Sequence, residues 1–230
     1  MYDKWLSSYS KSPLFRNIKD LDLVVMLECL RPKLVEYKKD KYIAVEGDEY
    51  DGIGILLSGE AVVSKENAAG NRVIINILKP GDMFGEMAAF SNKDKWPATI
   101  YSQEKCAVSF LPPSKIIGEC EKTCYSHRTL ILNMLGIISE KALMLNRKVE
   151  YLAIKSMRAK ISTFLLEQYK KTGKTTFMIP LNRNELADFL NVSRPSMSRE
   201  MCRMKEEGII DFHRASIRII NPEALKKSVE

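Results

Sequence analysis

Histidine is nearly missing from this chain of 230 residues: two are present, His127 and His213, and none stands between positions 1 and 126. Metal-dependent β-barrel enzymes of the cupin type gather several imidazoles and a carboxylate around one ion, so the N-terminal half lacks their chemistry. Cysteine is scarce too. The five thiols, Cys29, Cys106, Cys120, Cys124 and Cys202, are an odd number in a chain too large to need staples, which argues against a disulfide framework and for reduced thiols. No uninterrupted apolar run approaches the length of a membrane span, and the opening "MYDKWLSSYSKS" lacks a basic region followed by an apolar core. Neither a membrane helix nor a signal peptide is expected, and the location expected is cytoplasmic, compatible with a bacterial cytosol.

What is present is enough apolar residue, 45%, to bury a core, and a net charge of +7 that is unevenly spread. Residues 1–154 hold 21 Lys/Arg against 20 Asp/Glu, whereas residues 155–230 hold 15 against 9. A near-neutral part followed by a small basic one is the electrostatic outline of a sensor joined to a nucleic-acid binder, because phosphate contacts need clustered cations.

Between residues 34 and 112 short apolar runs, "YIAVEG", "GILLSGEAVVS", "RVIINILKPGD" and "CAVSFLP", are punctuated by glycines, the pattern of an all-β roll. The preceding "DLDLVVMLECLRP" reads as a helix that Pro32 ends. From Ser126 to Tyr151 and beyond there is no proline and one glycine, Gly136, which predicts a long helix. Along it Ile131, Leu135, Ile138, Ala142, Leu145, Val149 and Leu152 recur at alternating spacings of four and three, the seam through which a helix packs on a parallel partner.

The last third opens with the amphipathic "SMRAKISTFLLEQYKKTG", stopped by Gly173. In the stretch after it, Asn182 is placed to cap a helix carrying Leu186, Ala187 and Leu190, and Ser193 a second one after a tight turn. Met197, Met201 and Met204 share one face of that second helix, while Arg199 and Arg203 lie opposite. "GIIDFHRASIRII" then reads as a two-stranded wing. This is a winged helix-turn-helix. Pro195 fits because it falls in the first helical turn.

A glycine-punctuated β-roll, a long seam helix and a C-terminal winged helix-turn-helix together resemble the Crp/Fnr family of bacterial transcription regulators. The resemblance covers about residues 14–222 and is carried by "LLSGEAVV", "KPGDMFGE" and "SRPSMSREMCRMKEEGII" in that order. It implies an α+β homodimer that binds a two-fold symmetric site on double-stranded DNA and acts on RNA polymerase, with an effector in the roll. By residues, it implies a roll over 1–125, a dimerisation helix over 126–154 and a DNA-binding domain over 155–230. The DNA-binding candidates are Arg183, Arg194, Ser196, Ser198, Arg199 and Arg203, with Arg199 first choice for a guanine contact and Arg183 for a phosphate. Where cyclic-AMP-receptor-like members carry a Glu in the recognition helix, this chain has Pro195, which has no side-chain acceptor.

The effector pocket is expected around Gly85, Glu86, Trp96 and Thr99, with Leu145 and Asn146 from the long helix. Cyclic-nucleotide-binding members follow the Gly-Glu pair with Arg-Ser for the cyclic phosphate; here Trp96-Pro97 stands in that place. A buried phosphate without a cation is heavily penalised, and Lys93 and Lys95 sit in a polar loop, so an effector other than a cyclic nucleotide is expected. Two alternatives remain for Trp96: apolar surface for an uncharged or aromatic ligand, or plain packing into the roll. The cysteine cluster of the iron-sulfur branch is absent, and no histidine stands in the roll to ligate haem. Cys120, Cys124 and His127 would share a helical face, yet a fourth ligand is missing, and no metal or cofactor is assigned. The competing function class is a ligand-binding interaction module without DNA function.

Overall fold

The computed structural model describes residues 2–66, 72–91, 94–118 and 125–229. Helices α1 (Leu6–Lys11) and α2 (Asp20–Leu30) precede strands β1 (Lys33–Tyr37), β2 (Tyr42–Ala44), β3 (Ile53–Ser58), β4 (Ala61–Glu66), β5 (Arg72–Leu78) and β6 (Met83–Phe84). Next come α3 (Glu86–Ala89), β7 (Thr99–Ser102), β8 (Cys106–Leu111), α4 (Pro113–Ile117) and the long α5 (Tyr125–Ala153). The remainder holds α6 (Met157–Thr172), β9 (Thr176–Met178), α7 (Arg183–Leu190), α8 (Arg194–Glu206), β10 (Ile210–His213), β11 (Ser216–Ile219) and α9 (Pro222–Lys227). The chain forms two compact units, Met1–Glu140 and Lys141–Glu230, so the dividing line passes through α5.

In the first unit two antiparallel four-stranded sheets, ordered β1-β8-β3-β6 and β2-β7-β4-β5, make the roll. The apolar run of β3 is uninterrupted because both its faces are covered. Ile53, Ile55 and Leu57 join a cluster with Leu14, Leu23 and Leu27, whereas Leu56 joins Val108, Phe110 and Ile100 in another. Gly54 has to be glycine: a Cβ there would lie 2.0 Å from the ring of Phe84. α2 ends two residues before Pro32, and its C-cap Arg31 turns left-handed at φ 47°, its N–H bonding back to the Leu27 carbonyl at 3.0 Å. Strand β5 is an edge whose Val73, Ile74, Ile75 and Ile77 are all exposed.

The two apolar faces of α5 have different fates. Leu130, Met134 and Ile137 are buried in the first unit's core, while the seam residues Leu135, Leu145 and Val149 are more than half exposed, at 57%, 56% and 56%. Ile131 and Ile138 are intermediate, and Ala142 and Leu152 exposed. By length and composition Ser126–Ala153 would also suffice to cross a membrane, a property that uninterrupted runs did not reveal because scattered polar residues break the run while a long stretch stays apolar on average. A span would have to withdraw Leu130, Met134 and Ile137 from that core.

The second unit is built on caps foreseen in the sequence. Asn182 and Glu185 form a reciprocal capping box at the start of α7, and Ser193 caps α8. Asn191 makes the turn between the two helices at φ 51°. Met197, Met201 and Met204 are fully buried. The wing has three strands, ordered β10-β11-β9, one more than the two expected, because β9 is too short to show a period of its own.

Candidate nucleic-acid interface and effector pocket

α8 projects its polar face through a chain of hydroxyls at its first turn. The Ser196 N–H donates to Ser193 Oγ at 3.4 Å, the Ser193 hydroxyl donates to Ser196 Oγ at 2.8 Å, and Arg199 donates to the same oxygen at 3.1 Å. Arg199 is exposed and its recorded partner is this hydroxyl, which leaves most of its five N–H donors facing solvent. Arg194 is exposed at the first helical position, Ser198 is partly buried, and Arg203 is 70% exposed with Glu200 at 3.7 Å.

Glu200 is engaged from behind by Arg158 of α6 at 2.6 Å, and both Glu207 oxygens accept from the same guanidinium at 2.7 Å. The bidentate bond raises the Arg158 pKa and holds the Glu207 carboxyl below its usual value of 4.5. Lys160, on the same first turns of α6, is buried and donates to the Leu190 carbonyl at 3.1 Å, satisfying the end of α7. Thus α6 holds both helices of the motif, which sequence reasoning missed. A signal existed for Lys160: it lies one turn before Phe164 on the apolar side of α6.

Arg183 lies apart from this face. Its guanidinium rests 4.9 Å from the centroid of Phe212, and it donates to Met201 Sδ and, at 3.4 Å, to the Arg214 carbonyl of the wing turn. Burial lowers its pKa from the ordinary guanidinium value.

In the roll, Gly85 precedes α3 as its N-cap at φ 82°, and a Cβ on it would meet the Trp96 ring at 2.8 Å and the Tyr50 ring at 3.0 Å. Trp96 is 4% exposed, with Tyr50 at 4.7 Å and Phe84 at 6.0 Å between ring centroids. Residues 47–50 and 94–96 are laced by backbone bonds from Gly47 to Trp96, Tyr50 to Asp94 and Trp96 to Asp48, which brings Tyr50 to this cluster. No sequence periodicity marks Tyr50. Burial, with the Glu86 charge nearby, pushes its hydroxyl pKa far up. Glu86 itself is buried. Thr99 Oγ1 accepts from the Glu46 N–H at 3.1 Å. Leu145 and Asn146 are exposed positions of α5 within the second unit. An aromatic cluster against glycine suits neither the charge nor the donor requirement of a cyclic phosphate.

Cys120, Cys124 and Lys93 lie outside the described residues. His127 is buried, and its Nε2 donates to the Ile116 carbonyl at 2.9 Å. Among the described residues no group of three or more potential ligands gathers at one point.

Comparison with known proteins finds two domains in order. Residues 34–123 match the cyclic nucleotide-binding domain and residues 159–228 the Crp-like helix-turn-helix domain. The global nitrogen regulator of Synechocystis sp. is 24% identical over 86% of this chain and 89% of its own. The transcriptional activator protein FnrL of Cereibacter sphaeroides is 24% identical over 76% and 71%. Among solved structures, the catabolite activator protein of Thermus thermophilus aligns over 95% of this chain and 98% of its own, at 19% identity and a TM-score of 0.55.

Proposed function

Given that the chain belongs to the Crp/Fnr family and is a DNA-binding transcription regulator, we propose that it works as a parallel homodimer on a two-fold symmetric operator, joined along α5. In this reading residues 1–125 sense, 126–154 dimerise and 155–230 bind DNA. The protein acts in the cytoplasm and its output passes to RNA polymerase. The observation that carries the reading is the outward polar face of α8, with Arg194, Ser196, Ser198, Arg199 and Arg203 displayed above three fully buried methionines. Arg199 reads a base and Arg194 reads a base or holds phosphate, with Arg203 beside them; Arg183, held against Phe212, anchors the wing.

The effector is not a cyclic nucleotide. Trp96 and Tyr50 fill the space over Gly85, and no ring cluster of this kind balances a buried phosphate. The test has two arms. Selection from randomised duplexes should recover a palindromic site, and calorimetry with cyclic AMP should give no heat of binding. Recovery of no preferred sequence would overturn the DNA reading, and micromolar cyclic AMP affinity the effector reading.

A further inference from the structure

The second unit contains a cavity of about 470 Å³ beneath the wing, lined by Ile179, Leu181, Leu186, Phe212 and Ala215 with Asn182, Arg183 and Arg214 at its border. Its size lies within the range of small-molecule sites, roughly 300–1,000 Å³. Ile179 and Leu186 are buried, so the floor is greasy.

The charge on its wall is unbalanced. Arg183 donates to a thioether sulfur and a backbone carbonyl and stacks on Phe212, and among the described residues no carboxylate meets it. The two acids that adjoin lining residues in the chain, Glu185 beside Leu186 and Asp211 beside Phe212, are committed elsewhere. Glu185 accepts from the Asn182 N–H at 2.7 Å in the capping box, and Asp211 pairs with Lys205 at 2.6 Å. A partly desolvated guanidinium without an acid is costly, and its fork of N–H donors matches a carboxylate. Asn182 is no competitor for that role, because its side-chain oxygen is used by the N–H groups of Asn184 and Glu185.

We propose that this cavity binds a small organic carboxylate, its acid group on Arg183 and its flat apolar body against Leu186, Phe212 and Ala215. The occupant is an amphipathic small molecule and not a DNA phosphate, because a sugar-phosphate has no apolar body to cover Ile179 and Leu186. Such a site gives the DNA-binding unit a ligand input of its own, separate from the roll. The proposal does not rest on DNA binding, and its test contains no DNA.

The probes are 2-naphthoate and its neutral analogue 2-naphthylmethanol, titrated into the full-length protein and followed by methyl and amide chemical shifts. 2-Naphthoate should bind with submillimolar affinity and move the resonances of Leu186, Phe212 and Ala215, with the alcohol weaker by roughly tenfold or more. Ala215→Trp, which fills the cavity, should abolish the shifts; Arg183→Gln should bring the two affinities together while any residual binding stays at the same residues. The comparison of the two probes on the wild-type protein needs no variant to fold. Absence of binding, equal affinities on the wild type, shifts confined to other residues, or unaltered binding by a folded Ala215→Trp protein would each overturn the proposal.

Discussion

Arg199 carries the sharpest prediction at the scale of single residues. Its guanidinium is steadied by Ser196 and otherwise exposed, the state of a group waiting for a planar acceptor pair. Arg199→Ala should cost about 1–3 kcal/mol on the selected site and leave non-specific binding nearly unchanged. Fluorescence anisotropy on the cognate duplex and on scrambled duplexes reads both terms; equal losses on every sequence would remove Arg199 from base reading. Arg199 was legible in the sequence because a helix of known register fixes which side chains oppose three methionines. Tyr50 and the place of Arg183 were not legible. Each depends on a contact between segments far apart in the chain, Tyr50 with Trp96 and Arg183 with Phe212, and no local pattern encodes such a contact.

At the scale of elements, α5 and the α6–α8 pair make separate claims. In the proposed homodimer Leu145→Lys places like charges at facing positions of the parallel seam, so that dimer should dissociate while each unit stays folded, because Leu145 is exposed in the monomer. Sedimentation velocity distinguishes the outcomes, and an unaltered dimer would move the interface elsewhere. The α6–α8 tie through Arg158 predicts a dependence on pH. The Glu207 pKa is lowered first by its hydrogen bond to Arg158, so its contribution is complete above the usual 4.5 and is lost as pH falls through the lowered value. The denaturation midpoint of Arg158→Met should therefore lie below that of the wild type at neutral pH and converge with it as acid protonates Glu207. A gap that persists in acid would assign the effect to packing.

At the scale of the whole molecule, two units, each with its own hydrophobic clusters, imply two unfolding events. The clusters around Leu27 and Leu56 belong to the first unit, and the cluster around Met197 to the second. Both tryptophans, Trp5 and Trp96, fall in the first unit, so indole fluorescence follows it alone whereas far-ultraviolet circular dichroism follows both. Thermal melts recorded by the two probes should not coincide; superimposed transitions would show that the units unfold together. The uneven charge acts at this scale too, since the excess cations of residues 155–230 sit in the unit that carries α8.

The order of elements, the caps at Asn182, Ser193 and Gly173, the apolar stripe of α5 and the family itself were determined by the sequence, because each is a matter of spacing along a few turns or strands. Only the tertiary structure decided what Trp96, Arg158, Lys160 and Arg183 do. Their partners lie between 18 and 49 residues away in the chain for the hydrogen bonds of the three cations, and about as far for Tyr50 and Trp96, so packing of whole elements had to occur first. The same packing chose between the readings of α5's two apolar faces, burying Leu130, Met134 and Ile137 and leaving Leu145 outside, since hydrophobic periodicity marks a face as apolar without saying what covers it.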